Sequence, residues 1–129
     1  MALPVKRERP FRQMLKLRFF RIAIVVSVLL WLAAVCLPSV RVLPIIYGKT
    51  AVPLHYNIHV GVDTVAPWWQ IYLVPVMGLV ALLVNILVAK YMWSRDPVLA
   101  YVTAAATVII EVVLMVAMVF IVYLSLQYA

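Results

Sequence analysis

Three apolar runs, residues 22–40, 69–92 and 98–126, take up more than half of the chain and hold one acidic residue, Glu111. A bilayer core is crossed by roughly 20 consecutive apolar residues in a helix, because only a helix satisfies every backbone amide from within its own segment. Runs of this length and polarity are hard to place in any water-soluble fold. At 68% hydrophobic and 12% charged residues, the chain also lacks the polar side chains needed to cover a soluble core. The expectation is an all-α membrane protein with three transmembrane helices.

The charge pattern sets the expected orientation. The net charge is +7, and Lys6, Arg7, Arg9, Arg12, Lys16, Arg18 and Arg21 supply seven of the 11 basic residues. Such a block directly before an apolar run marks a cytoplasmic flank, so residues 1–21 read as a basic cytoplasmic tail. It is placed to hold anionic lipid headgroups, at roughly 1 kcal/mol per basic residue near the surface. No nucleic-acid partner is expected, since tails of this kind occur without that function. The first span then leaves the cytoplasm, the second returns and the third leaves again. Lys90 and Arg95 fall inside with the tail, while Arg41 and Lys49 fall outside. The expected orientation has the N-terminus inside and the C-terminus outside.

Each boundary has a local cause. Pro38, Arg41 and Pro44 oppose continuation of the first helix. Trp68, Trp69 and Tyr72 form one interfacial belt for the second span, and Tyr91 with Trp93 form the other. Pro75 lies early in that span, where it either kinks the helix or fits its first turns. Residues 93–97, WSRDP, are a cytoplasmic link short enough to force an antiparallel helical hairpin, with Asp96 as cap and Pro97 in the first turn of the third helix. LAAVC before Pro38 is similar to a lipoprotein cleavage site, but Val35 stands where a small residue is required. An uncleaved signal anchor is the expectation. A single cysteine, Cys36, excludes an intrachain disulfide.

Residues 41–68 form the extracytoplasmic segment between the first two spans. Within it, LHYNIHVGVD alternates strictly: Leu54, Tyr56, Ile58, Val60 and Val62 against His55, Asn57, His59, Gly61 and Asp63. That period predicts a strand, and RVLPIIY before it also reads as one, with YGKTAVP supplying the turn. The expected element is a short β-hairpin with strands at residues 41–47 and 53–60. Strand spacing sets His55 and His59 about 13 Å apart, too far to share one ion. No metal site and no other cofactor are expected. Asn57, Gly61 and Asp63 suit tight turns with side-chain-to-backbone bonds.

The residues Leu43-Pro44, Val52-Pro53-x-His55-Tyr56-Asn57, Gly61-x-Asp63 and Leu73-Val74-Pro75 together resemble a small bacterial membrane domain of unknown function. That domain opens the Sdp-type toxin-immunity proteins, where a comparable Pro-x-His-x-Asn segment, with a Gly and an Asp, follows the first span. The resemblance covers residues about 20–90 and implies the topology, a bacterial origin and an immunity-like role. This chain differs in a later Gly61, in the added His59 and in a third span that follows one short module.

Glu111 sits near the middle of the third run, where a charged carboxylate costs a few kcal/mol, so it must face protein or water. The short link sets Glu111 level with Gly78, and Thr107 and Thr103 near Leu82 and Asn85. Gly78, Leu82, Asn85 and Ala89 share one helical face, as do Ala100, Ala104, Thr107 and Glu111. Small residues let two helices approach closely, with Asn85 and the threonines as hydrogen-bonding groups. Three roles stay open for Glu111: a neutral carboxyl bonded within the seam, a contact with another chain, or a carrier of protons or ions. A basic hairpin with a mid-membrane carboxylate is similar to the rotor-ring subunit of ATP synthases, but that family's glycine-repeat helix is absent.

No nucleophile–base pair, phosphate loop or metal-spaced cluster is present, so an enzyme is not expected. Two function classes follow. One is an accessory or interaction protein, immunity-like, acting through the external segment and the polar seam on a membrane-protein partner or on itself. The other is a transport or proton-path subunit using Glu111. For the histidines, replacing both His55 and His59 by alanine is expected to leave bound zinc unchanged in elemental analysis of the purified protein. Stoichiometric zinc that is lost in the double variant would contradict it.

Overall fold

The computed structural model describes residues 10–46, 48, 52–57 and 61–128. Three of its helical segments, Arg18–Ile46, Trp68–Trp93 and Pro97–Gln127, are long and apolar enough to cross a membrane. This is the composition and layout of a multi-pass membrane protein.

A short helix α1, Pro10–Lys16, comes first, with proline at the position where a missing N–H costs nothing. Its Met14 is buried, and Lys90 Nζ lies over the Phe11 ring at 5.6 Å, which tucks α1 beside the end of the second span. Leu17 is extended, and α2 then runs from Arg18 to Arg41. Pro38 lies inside α2 and does not end it: Val42 N–H still donates to Pro38 O at 3.0 Å. Ser39 Oγ donates to Val35 O at 2.8 Å, and its hydroxyl pairs with Tyr72 Oη at 2.9 Å.

The expected fold class is corrected at this point, because the hairpin with strands at 41–47 and 53–60 is not formed. Its first strand is helical. Arg41 ends α2, and Leu43–Ile46 forms α3 with Ile45 and Ile46 N–H both bonded to Val42 O. A strand would put Val42, Pro44 and Ile46 on one face. Here Val42 and Ile46 are buried against Ala34, Ile71 and Met118 while Pro44 is exposed. An apolar site for two residues one helical turn apart overrides the β propensity of RVLPIIY. The long alternating stretch is not one strand either. β1, Val52–Asn57, pairs antiparallel with β2, Gly61–Ala66, and the register slips on either side of His55.

A 3-10 turn, Trp68–Tyr72, leads into α4, Leu73–Trp93, so Pro75 sits in the first turn and no kink is required. Asp96 Oδ1 accepts the Val98 N–H at 2.9 Å, which caps α5, Pro97–Tyr128. α5 is the central element: it packs against both α2 and α4, which touch one another over less of their length, and β1 comes alongside it.

Two apolar clusters bracket the helices. One joins Ala34, Val42, Ile46, Ile71, Met118 and Val122; the other joins Met14, Phe20, Ala23, Ala89, Ala100 and Ala104. Phe20 closes the second cluster, with ring centroids 4.8 Å from Tyr101 and 5.5 Å from Trp93. Between the clusters lies a belt of polar side chains.

Candidate functional site: an intramembrane polar belt

The belt is built from the inward stripes of the three long helices. On α5, Ala100, Ala104, Thr107, Glu111, Met118, Val122 and Ser125 are buried, at intervals of three, four or seven residues. This is the spacing of a single helical face. On α4 the matching stripe is Pro75, Gly78, Leu82 and Ala89, and on α2 it is Phe20, Ala23, Ser27, Ala34 and Pro38. Asn85 is half-buried at the edge of the α4 stripe.

Glu111 is 2% exposed, so its carboxyl faces protein and not lipid. A Cβ placed on Gly78 would meet Glu111 Oε2 at 3.1 Å, Leu114 Cδ1 at 3.4 Å and Trp31 Cδ1 at 3.5 Å. The space beside Gly78 is therefore filled by three side chains from α2 and α5. A side chain at this position would require these neighbours to give by a few tenths of an ångström. Trp31 is fixed in turn: its Nε1–H donates to Pro75 O at 2.9 Å, which ties α2 to the first turn of α4. Among the described residues Glu111 Oε1 has no hydrogen-bond partner, and neither has Ser27 Oγ.

One turn from Glu111, Thr107 Oγ1 donates to Thr103 O and Thr103 Oγ1 to Leu99 O, each at 2.8 Å. The threonines thus spend their protons on their own helix and not across the seam. A cavity of about 20 Å³ lies between Ser27, Asn85 and Thr107. That is space for about one water molecule, far below the roughly 300 Å³ of a small-molecule site.

Of the residues singled out in the sequence, Gly78, Asn85, Thr107 and Glu111 are brought together. His55 and Asn57 lie on β1 and Asp63 on β2; His59 falls outside the described residues. No group of three or more His, Cys, Asp or Glu placed to hold a metal occurs among the described residues. Sequence reasoning missed the contribution of α2. Its signal was present in two places: Ser27 is a lone hydroxyl in an apolar span, and Trp31 sits in mid-span, away from the interfaces where tryptophan collects.

No protein family, curated protein or solved structure matches the chain. The site is therefore read from its own geometry.

Glu111→Gln preserves the shape that fills the space at Gly78 and is expected to leave unfolding in a denaturing-detergent titration unchanged. Glu111→Ala opens a void in the belt and should cost roughly 2 kcal/mol. Gly78→Val must displace Glu111, Leu114 or Trp31 and should cost about 1–3 kcal/mol. Equal stability for all three variants would contradict the packing described.

Proposed function

We propose that the protein is a small accessory or interaction protein of the bacterial cytoplasmic membrane, with its N-terminus inside, its C-terminus outside and residues 41–68 on the outer side. One observation carries this reading: the membrane-embedded polar groups are turned inward and packed, with Glu111 2% exposed. The outward faces of α2, α4 and α5 carry large apolar residues such as Leu29, Leu87 and Phe120. The seam then acts as a scaffold, and the segment joining α2 to α4 is the surface offered to a partner. The resemblance of residues about 20–90 to the domain that opens Sdp-type immunity proteins supports an immunity-like version of this role. The belt's cavity of about 20 Å³ is far smaller than a metabolite site, which favours binding over catalysis.

The alternative, a proton-path subunit, draws on the unpartnered Glu111 Oε1 and the water-sized cavity near Thr107. The two readings separate at Glu111→Gln. A scaffold tolerates it, whereas a proton carrier loses all flux because glutamine does not ionise.

Reporter fusions at both termini and within residues 41–68 are expected to place only the N-terminus in the cytoplasm. Crosslinking in native membranes should capture a partner chain through residues 41–68, and replacing that segment by a neutral linker should abolish capture while insertion persists. A cytoplasmic C-terminus, or capture that survives replacement of the segment, would contradict the proposal.

A further inference from the structure

On the outer surface of the bundle, α2 and α5 diverge around an apolar groove of about 310 Å³. Ala23 and Ala105 line it beside larger residues, among them Phe19 and Ile109. Small residues between large ones leave a trough on a helix pair. A second depression of about 340 Å³ shares Ile22 and Val26 with this groove and is lined at its other side by Arg18 and Arg21. The apolar groove and the arginine-lined depression thus adjoin across Ile22 and Val26.

Those arginines stand at an unusual place. They occupy the first turn of α2, a helix of 24 residues, where the backbone already presents partial positive charge. The first turn holds no acidic residue, and Leu17 at the N-cap makes no side-chain bond to the free amides. Asp96 caps α5 through Oδ1. Two guanidinium groups thus line the depression that adjoins the groove.

We propose that this surface binds an anionic phospholipid, its phosphate held by Arg18 and Arg21 at the start of α2 and one acyl chain lying in the groove between α2 and α5. Guanidinium groups match phosphate oxygens in paired hydrogen bonds, and an anion at a helix N-terminus is favoured by the dipole and the free amides. The groove distinguishes this site from the diffuse attraction of a basic tail, because it holds the chain as well as the headgroup. The proposal rests on the membrane reading above and on no particular partner or activity.

The test uses the full chain reconstituted in phosphatidylcholine vesicles that contain trace spin-labelled phosphatidylglycerol or spin-labelled phosphatidylcholine, labelled toward the chain end. Electron paramagnetic resonance reads the motionally restricted fraction of each lipid. Phosphatidylglycerol is expected to be preferred by roughly fivefold or more, the effect of about one basic contact or greater. Arg18→Gln with Arg21→Gln should bring the ratio close to one. Lys90→Gln with Arg95→Gln, which removes equal charge away from the groove, should leave it unchanged. Ala105→Phe keeps the arginines but fills the groove and should reduce the restricted signal; Ala105→Leu repeats that arm with a smaller plug if helicity falls. A ratio near one in the unaltered chain, an equal loss in both charge pairs, a restricted signal indifferent to filling the groove, or a second copy of the chain crosslinked across the groove would overturn the proposal. Vesicle flotation separates the levels: a chain that floats without lipid preference sinks only this site, whereas one that does not float sinks the membrane reading itself.

Discussion

A carboxyl group in the middle of an apolar helix must be turned away from hydrocarbon, and in this protein that requirement is met by Gly78. The missing side chain on α4 leaves room for Glu111 Oε2, with Leu114 and Trp31 closing the same space. This contact fixes the rotation of α5 about its own axis. Once Glu111 faces inward, Thr107, Ala104 and Ala100 follow on one side and Met118 and Val122 on the other, all on the same helical stripe. Trp31 extends the constraint to the third helix through its bond to Pro75 O. Side chains of α2 and α5 thus meet α4 at one glycine.

The remaining cohesion comes from close packing on either side of that belt. Lipid tails are as apolar as leucine, so burial of apolar area does not drive helices together inside a bilayer; van der Waals fit does. Alanines at positions 23, 89, 100 and 104 allow backbones to approach at one end, and Phe20, Trp93 and Tyr101 seal that end with ring contacts. Only 22% of each spanning window is buried, so most of each helix faces outward. A bundle built this way has little interior in which to conduct chemistry. On the reading proposed above, its polar groups serve the assembly of the chain, and the segment between α2 and α4 and the basic start of α2 are the surfaces for partners.

Much of this plan was legible before any coordinates. Apolar length located the three spans, the WSRDP link forced the hairpin, and the same link set Glu111 opposite Gly78. Asp96 and Pro97 announced the start of α5 because capping is a local matter of residue type and position. The strand expected at residues 41–47 fails for a physical reason. Its β-branched residues favour a strand in isolation, but Val42 and Ile46 gain a buried site beside Ile71 and Met118 only if the chain stays helical there. That site is assembled from three distant parts of the sequence. The slip in register at His55 is likewise set by pairing with β2 and leaves no mark in the alternation itself. Helix α1 lies within the basic tail and is anchored by only two apolar side chains of its own, Phe11 and Met14.

The central claim is the contact between Glu111 and Gly78, and solid-state NMR in lipid bilayers measures it without altering a residue. The chain holds three glycines, and its two glutamates are Glu8 and Glu111, so selective labelling of both residue types gives a sparse spectrum. A through-space cross-peak between the Gly78 Cα and the Glu111 side-chain carboxyl carbon is predicted. If that peak is absent while Glu111 instead correlates with lipid acyl-chain protons, the inward-facing belt, and the arrangement of helices built on it, is contradicted.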